Sequence, residues 1–188
     1  MKSIILKSLL IILVIINHQA SANDEFTGDL KLSCEAVLCL SSGSPPGECN
    51  PALNRYYSIN YKSFSKTIRK RIEFLNICPV SSESPQMQSL VNAIANGAGR
   101  CDAASLNTTL REWIPIEGQT YGEGYFCIKN QLPDYCRAYT NHEYTDLKNS
   151  VTYVIDPPEQ QYNPFNSQSY IRNNWTDQSI RQCGHWVN

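Results

Sequence analysis

The stretch Leu32-Ser33-Cys34-Glu35-Ala36-Val37-Leu38-Cys39-Leu40, ended by Ser41-Ser42-Gly43-Ser44-Pro45-Pro46-Gly47 and resumed at Glu48-Cys49-Asn50-Pro51, decides the fold class. Leu32, Ala36, Val37, Leu38 and Leu40 sit among two cysteines with no breaker between them, which predicts a short buried helix. The serine, glycine and proline run cannot continue that helix, because proline lacks the N–H it would need and glycine favours the turn. Cys49 then lies in the turn, ahead of a second helix that takes Asn50 as cap and Pro51 at its first position, where a missing donor costs nothing. That helix is expected to run to about Tyr57.

The same cysteines carry the reading outward. At the N-terminus Lys2 and Lys7 precede an apolar run from Leu9 to Ile16, and Ala20-Ser21-Ala22 supplies the small residues that a signal peptidase needs. Residues 1–22 are therefore read as a cleaved signal peptide and residues 23–188 as a single exported domain. The apolar run falls short of the roughly 20 residues that span a bilayer, so no stable membrane insertion is expected. All eight cysteines, Cys34, Cys39, Cys49, Cys78, Cys101, Cys127, Cys136 and Cys183, follow the cleavage site. An even number routed to an oxidising compartment predicts four disulfides, with the connectivity left open. Paired Cys-x-x-Cys knuckles are missing, and His142 and His185 are not spaced as zinc ligands, so neither a metal nor a cofactor is expected. A formal charge of −1, more negative once Lys2 and Lys7 are removed, gives no bulk attraction to nucleic acid or anionic lipid, and nucleic acid is not expected as a partner.

Farther along, Ser65 is read as the cap of a helix carrying Ile68, Ile72 and Leu75 at i, i+4 and i+7, stopped at Cys78-Pro79. A fourth helix opens at Ser84-Pro85, places Met87, Leu90, Val91 and Ile94 on one stripe, and ends near Gly97 and Gly99, residues able to adopt the left-handed conformation of a C-cap. A short fifth follows Cys101. Glycines and prolines break every periodicity from Trp113 to Pro133, which is read as loop with a short strand from Tyr125 to Ile128. Helical spacing returns at Tyr135, Tyr139 and His142. Val151, Tyr153 and Ile155 then alternate as in a strand, and Gly184-His185-Trp186-Val187 is expected to pair beside it with help from Cys183. The predicted class is mainly α with a small β-hairpin or short sheet, an α+β single domain stapled by disulfides.

Residues with chemical potential have structural readings that outweigh the catalytic ones. Glu35 and Glu48 are the carboxylates that a peptidoglycan-cleaving enzyme would need as acid and partner, yet a glutamate in a first helical turn commonly answers the helix dipole. His142-Glu143 has no second histidine four residues on and is not a zincin motif; the nucleophile-elbow and phosphate-loop patterns are missing too. No catalytic residue is assigned, and the chain is read as non-enzymatic. Lys62, Lys66, Arg69, Lys70 and Arg71 form the one cationic cluster; DNA or phospholipid headgroups are the ligands such a cluster suits, but it is read as a solvated helix face with Arg69 paired to Glu73. Tyr121, Tyr125, Phe126, Tyr135, Tyr139, Tyr144, Tyr153, Tyr162, Phe165, Tyr170, Trp175 and Trp186 crowd the second half. Tyrosine suits interfaces as well as the shell of a small core, so Tyr135, Tyr139, Tyr144 and Trp186 are proposed as a partner surface. The sequons at Asn107 and Asn174 are read as chance.

The run from Leu32 to Gly43, the segment Glu48-Cys49-Asn50-Pro51-Ala52-Leu53-Asn54-Arg55-Tyr56-Tyr57-Ser58-Ile59, Leu132-Pro133 with Tyr135-Cys136, His142-Glu143-Tyr144-Thr145-Asp146-Leu147, Val151-Thr152-Tyr153-Val154 and the closing Gly184-His185-Trp186-Val187 together resemble the TrbM family of conjugal transfer proteins. The resemblance spans most of the mature chain and is weakest from Pro79 to Arg111. It implies an exported accessory protein of a plasmid conjugation (type IV secretion, mating-pair-formation) apparatus, with protein components of that machinery as partners, and it brings no catalytic residues. A peptidoglycan-modifying enzyme that opens the wall, with peptidoglycan as partner, and a secreted effector or toxin are the alternatives.

Overall fold

Helices dominate the computed structural model, which describes residues 28–115, 124–157 and 183–188. Among these lie α1 (Gly28–Leu40), α2 (Asn50–Ser58), α3 (Phe64–Leu75), α4 (Pro85–Gly97), α5 (Ala103–Thr109) and α6 (Asp134–Thr140), with single 3₁₀ turns at Gly47–Cys49 and Pro79–Ser82. Two antiparallel strand pairs complete the fold: β1 (Arg111–Pro115) with β2 (Gly124–Ile128), and β3 (Thr152–Ile155) with β4 (Gly184–Val187). This is the mainly helical, disulfide-stapled α+β class that the sequence predicts. Residues 1–22, and with them the expected signal peptide, lie outside the described residues, as do Tyr121, Tyr162, Phe165, Tyr170, Asn174 and Trp175.

The core forms where the apolar stripes of α1 to α5 converge. Tyr56, Leu75, Val91, Ile94 and Leu106 are fully enclosed, and the Tyr56 hydroxyl finds the Ile94 carbonyl at 3.1 Å, so the one polar atom of that ring is not left unpaired. Helix α4 carries the expected stripe, and Ser84 caps it by accepting from the Met87 N–H. Asp102 caps α5 in the same way through the Ser105 N–H. Other boundaries move by a residue or two. Asn50 is itself helical, with Cys49 in the cap position, because the preceding 3₁₀ turn delivers the chain in helical conformation. Ser63, not Ser65, precedes α3, and the two hydroxyls hydrogen-bond each other. His142 falls in the turn after α6.

Two glycines near the end of α4 have different jobs. Gly99 adopts the left-handed conformation, with φ of +74°. Gly97 is helical, and its missing side chain lets α6 approach: a Cβ there would stand 2.5 Å from Tyr139 Cβ. The Tyr139 ring has no room to retreat, since its hydroxyl is held by the Leu40 carbonyl at the end of α1. Gly97→Ala should therefore destabilise the protein by about 2 kcal/mol through overpacking. A urea midpoint identical to that of the parent would show that α4 and α6 can part freely.

The strand Arg111–Pro115 corrects the expectation of loop after Trp113. A proline at the final residue of β1 and the glycines beyond it mask the alternation in sequence, but Pro115 ends the strand without interrupting it. The β3–β4 pair forms as expected, with Tyr153 opposite Trp186. Asn107 completes the far edge of β4: its Oδ1 accepts from Trp186 N–H at 2.7 Å and its Nδ2 donates to Trp186 O at 2.9 Å. The amide thus serves as a one-residue strand against an edge that needs covering.

Eight cysteines form four bridges. Cys34–Cys78 joins α1 to the turn after α3, Cys39–Cys49 closes the turn after α1, Cys101–Cys136 joins the residues just before α5 to α6, and Cys127–Cys183 fastens β2 to the residue before β4. Two bridges thus lie within the first half and two within the second. The halves meet through packing of α4 on α6 and through polar contacts such as Asp146 N–H to the Ser41 carbonyl.

Candidate functional site

A surface with a rigid back and an exposed aromatic front is built on β1 and β2. Strand geometry sends alternate residues to opposite faces. Inward go Glu112 and, opposite it, Cys127, which is buried and bridged to Cys183. Outward go Trp113 and Phe126, directly paired across the strands, 47% and 50% exposed, with ring centroids 4.9 Å apart in an edge-to-face arrangement. The Arg111 guanidinium lies 3.9 Å from the Phe126 ring centroid and extends the row. Lys129 pairs with Glu112 at 3.3 Å behind it.

Two contacts brace this hairpin from the other sheet. Tyr153 donates its hydroxyl to the Ile128 carbonyl at 2.9 Å, and Trp186 Nε1 donates to the Lys129 carbonyl at 3.2 Å. The two rings meet edge to face at 5.4 Å. Large aromatics held outward on a braced, cross-linked strand pair are pre-organised for contact, since little side-chain or backbone freedom remains to be lost on binding. Trp and Arg are also the residues that most often anchor protein interfaces.

The four residues expected to make a partner surface are not gathered on one face. Trp186 and Tyr139 are buried, 6% and 7% exposed, and their polar atoms serve backbone carbonyls; this corrects their placement in a contact surface. Burial in the α4–α6 contact also pushes the Tyr139 hydroxyl above the ordinary tyrosine range. Tyr135 is half-buried beneath the Arg100 guanidinium, 3.8 Å from its ring centroid. Tyr144 alone stands well exposed, beside the His142 ring, whose Nδ1 accepts from the Tyr144 N–H at 3.2 Å. Trp113 and Arg111 are not among the residues that the sequence singles out for a partner surface. The usable signal was the spacing of Arg111, Trp113 and Pro115 at every second residue, which Pro115 and Gly118 obscured.

Glu35 pairs with Lys31 at 3.9 Å across one turn of α1, and Glu48 lies exposed in the 3₁₀ turn before α2. An open cleft of about 370 Å³ between the two halves is lined by Tyr57, Asp102, Tyr139, Thr140, Ser150 and Asn188, among others. Its acid, Asp102, accepts from both the N–H and the hydroxyl of Ser105 to cap α5. Among the described residues no group of three or more His, Cys, Asp or Glu side chains is disposed to hold a metal ion. Nor is any helix among them long and apolar enough to cross a membrane.

Comparison with known families matches residues 26–178 to the TrbM model. No curated protein and no solved structure matches the chain.

Proposed function

The chain belongs to the TrbM family of conjugal transfer proteins, and from that premise we propose that it is an exported, periplasmic accessory of the conjugation apparatus that docks one of the machinery's protein components. Four disulfides support export, because such bridges persist in oxidising compartments and are rare in the reducing cytosol. The observation that carries the docking reading is the outward row Arg111, Phe126 and Trp113 on the hairpin fixed by Cys127–Cys183. Binding, and no chemistry, is the role assigned to it. Acidic or apolar side chains on the partner suit a surface of two rings and a guanidinium.

Transfer from donor cells carrying Trp113→Ala/Phe126→Ala provides the test. Each ring removed from an interface centre typically weakens binding by tenfold or more, so the double variant should lose the partner in cross-linking and lower transfer frequency toward that of a deletion strain. Its melting temperature should match the parent, since both rings stand outside the core. Undiminished transfer with the same cross-linked partner would remove the hairpin from the mechanism, and digestion of purified sacculi by the parent would move the protein among wall-modifying enzymes.

A further inference from the structure

We propose that Tyr61, Lys62, Phe64, Lys66, Arg69 and Arg100 form a peripheral docking surface for an anionic phospholipid bilayer, separate from the hairpin. Residues 62–71 hold five of the chain's sixteen Lys and Arg residues and no acid, in a protein of net charge −1. The fold sorts these five. Arg71 turns into the core and Lys70 pairs with Glu73, which also replaces the expected Arg69–Glu73 pair. Lys62, Lys66 and Arg69 remain exposed, with no carboxylate in ion-pair reach among the described residues. Lys66 and Arg69 are three apart on α3 and so share one face of it, and Lys62 lies just ahead of that helix.

Two aromatic rings stand among these cations. Tyr61 and Phe64 are each 43% exposed beside these cations. The loop bearing Tyr61 is clamped to α3, because buried Thr67 accepts from the Tyr61 N–H at 2.8 Å and donates back to its carbonyl at 3.3 Å. Lys66 Nζ sits 4.6 Å from the Tyr61 ring centroid, and Arg100 sits 4.1 Å from that of Phe64 with Tyr135 on its other side. Cations are thereby held level with the rings, the arrangement that lets aromatic edges enter the headgroup layer while ammonium and guanidinium groups meet lipid phosphates. Single-stranded nucleic acid, the rival polyanion, is bound by rings with free faces on which bases stack. Here a cation already covers one face of each ring, and the bilayer is the better fit.

The test is co-sedimentation of the full chain with phosphatidylcholine vesicles, with and without phosphatidylglycerol. Binding is expected to the anionic vesicles only and should fall steeply as salt is added to the unaltered protein. Each cation near an anionic surface strengthens partition roughly fivefold, so Lys62→Ala/Lys66→Ala/Arg69→Ala should weaken it by about a hundredfold. Phe64→Ala should weaken it about tenfold by withdrawing one apolar ring from the interface. The triple variant changes only exposed side chains and should melt with the parent. No excess binding to anionic vesicles, or binding that the triple variant leaves unchanged, would overturn the proposal. So would retention of a single-stranded oligonucleotide, lost in the triple variant, by a protein that ignores vesicles. None of these outcomes bears on the hairpin, whose test is read in cross-linking and transfer.

Discussion

Replacing Cys127 and Cys183 together by alanine should lower the unfolding free energy by about 4 kcal/mol, the largest loss among the four bridges. A cross-link acts chiefly on the unfolded chain, where it removes the entropy of a loop, and that entropy grows with the logarithm of loop length. Cys127–Cys183 closes the longest loop, at a sequence separation of 56, and Cys39–Cys49 the shortest, at 10. By the same relation the Cys39→Ala/Cys49→Ala variant should lose about 2.7 kcal/mol, with the other two bridges between. Urea denaturation of the four double variants tests the ranking. Should removal of Cys39–Cys49 prove the costlier, loop entropy would not be what the bridges contribute. A further effect is expected of the Cys127–Cys183 variant alone: β4 loses its covalent tie to β2, so Trp186 should report solvent at lower urea than the helices unfold. Because a whole domain commonly has only about 5–15 kcal/mol in hand, this single bridge supplies a large share of what keeps the hairpin folded.

How much of this was legible in sequence follows from the range of the interactions that decide each feature. Helix α4 could be read almost to the residue, because Ser84, Pro85 and the stripe from Met87 to Ile94 are local signals that tertiary packing reinforces. The β3–β4 pair was legible for a similar reason, since its alternation is unbroken and Cys183 leads directly into β4. What failed was decided at long range. Nothing local to Tyr139 says that Gly97, in another helix, leaves a space its ring fills, so the tyrosine read as available surface. Trp186 was likewise exposed on paper and enclosed in the fold, where Lys129 and Asn107 meet it. Conversely, the hairpin's aromatic front stayed hidden because β1 needs its partner to be recognisable as a strand. The bridges show the same limit: the even count indicates that cysteines pair, but which ones pair is set by where the helices come to rest.

Arg71 carries that lesson to an energetic extreme, and its removal is the second large effect expected. It reads as one of five surface cations, yet it is only 8% exposed, and no carboxylate among the described residues pairs with it. Isolated charge in a core is costly, so something else must answer the guanidinium. Its Nε donates to the Ile59 carbonyl at 3.2 Å and its Nη1 toward the Ala98 carbonyl at 3.5 Å, the C-cap residues of α2 and α4. Helix C-termini carry partial negative charge and unpaired carbonyls, and here two of them converge on one cation. The Tyr56 ring lies 4.6 Å from the guanidinium carbon and adds its negative face. Arg71→Ala would empty that space and orphan both carbonyls, for an expected loss of about 4 kcal/mol. Arg71→Met separates the contributions: it restores much of the volume but no donor, so about half the loss should remain. Buried ion pairs can often be exchanged for apolar residues without harm because both charges leave together. Ile59 and Ala98 cannot leave, being backbone, and a methionine variant as stable as the parent would therefore refute the claim that this arginine neutralises the two helix ends.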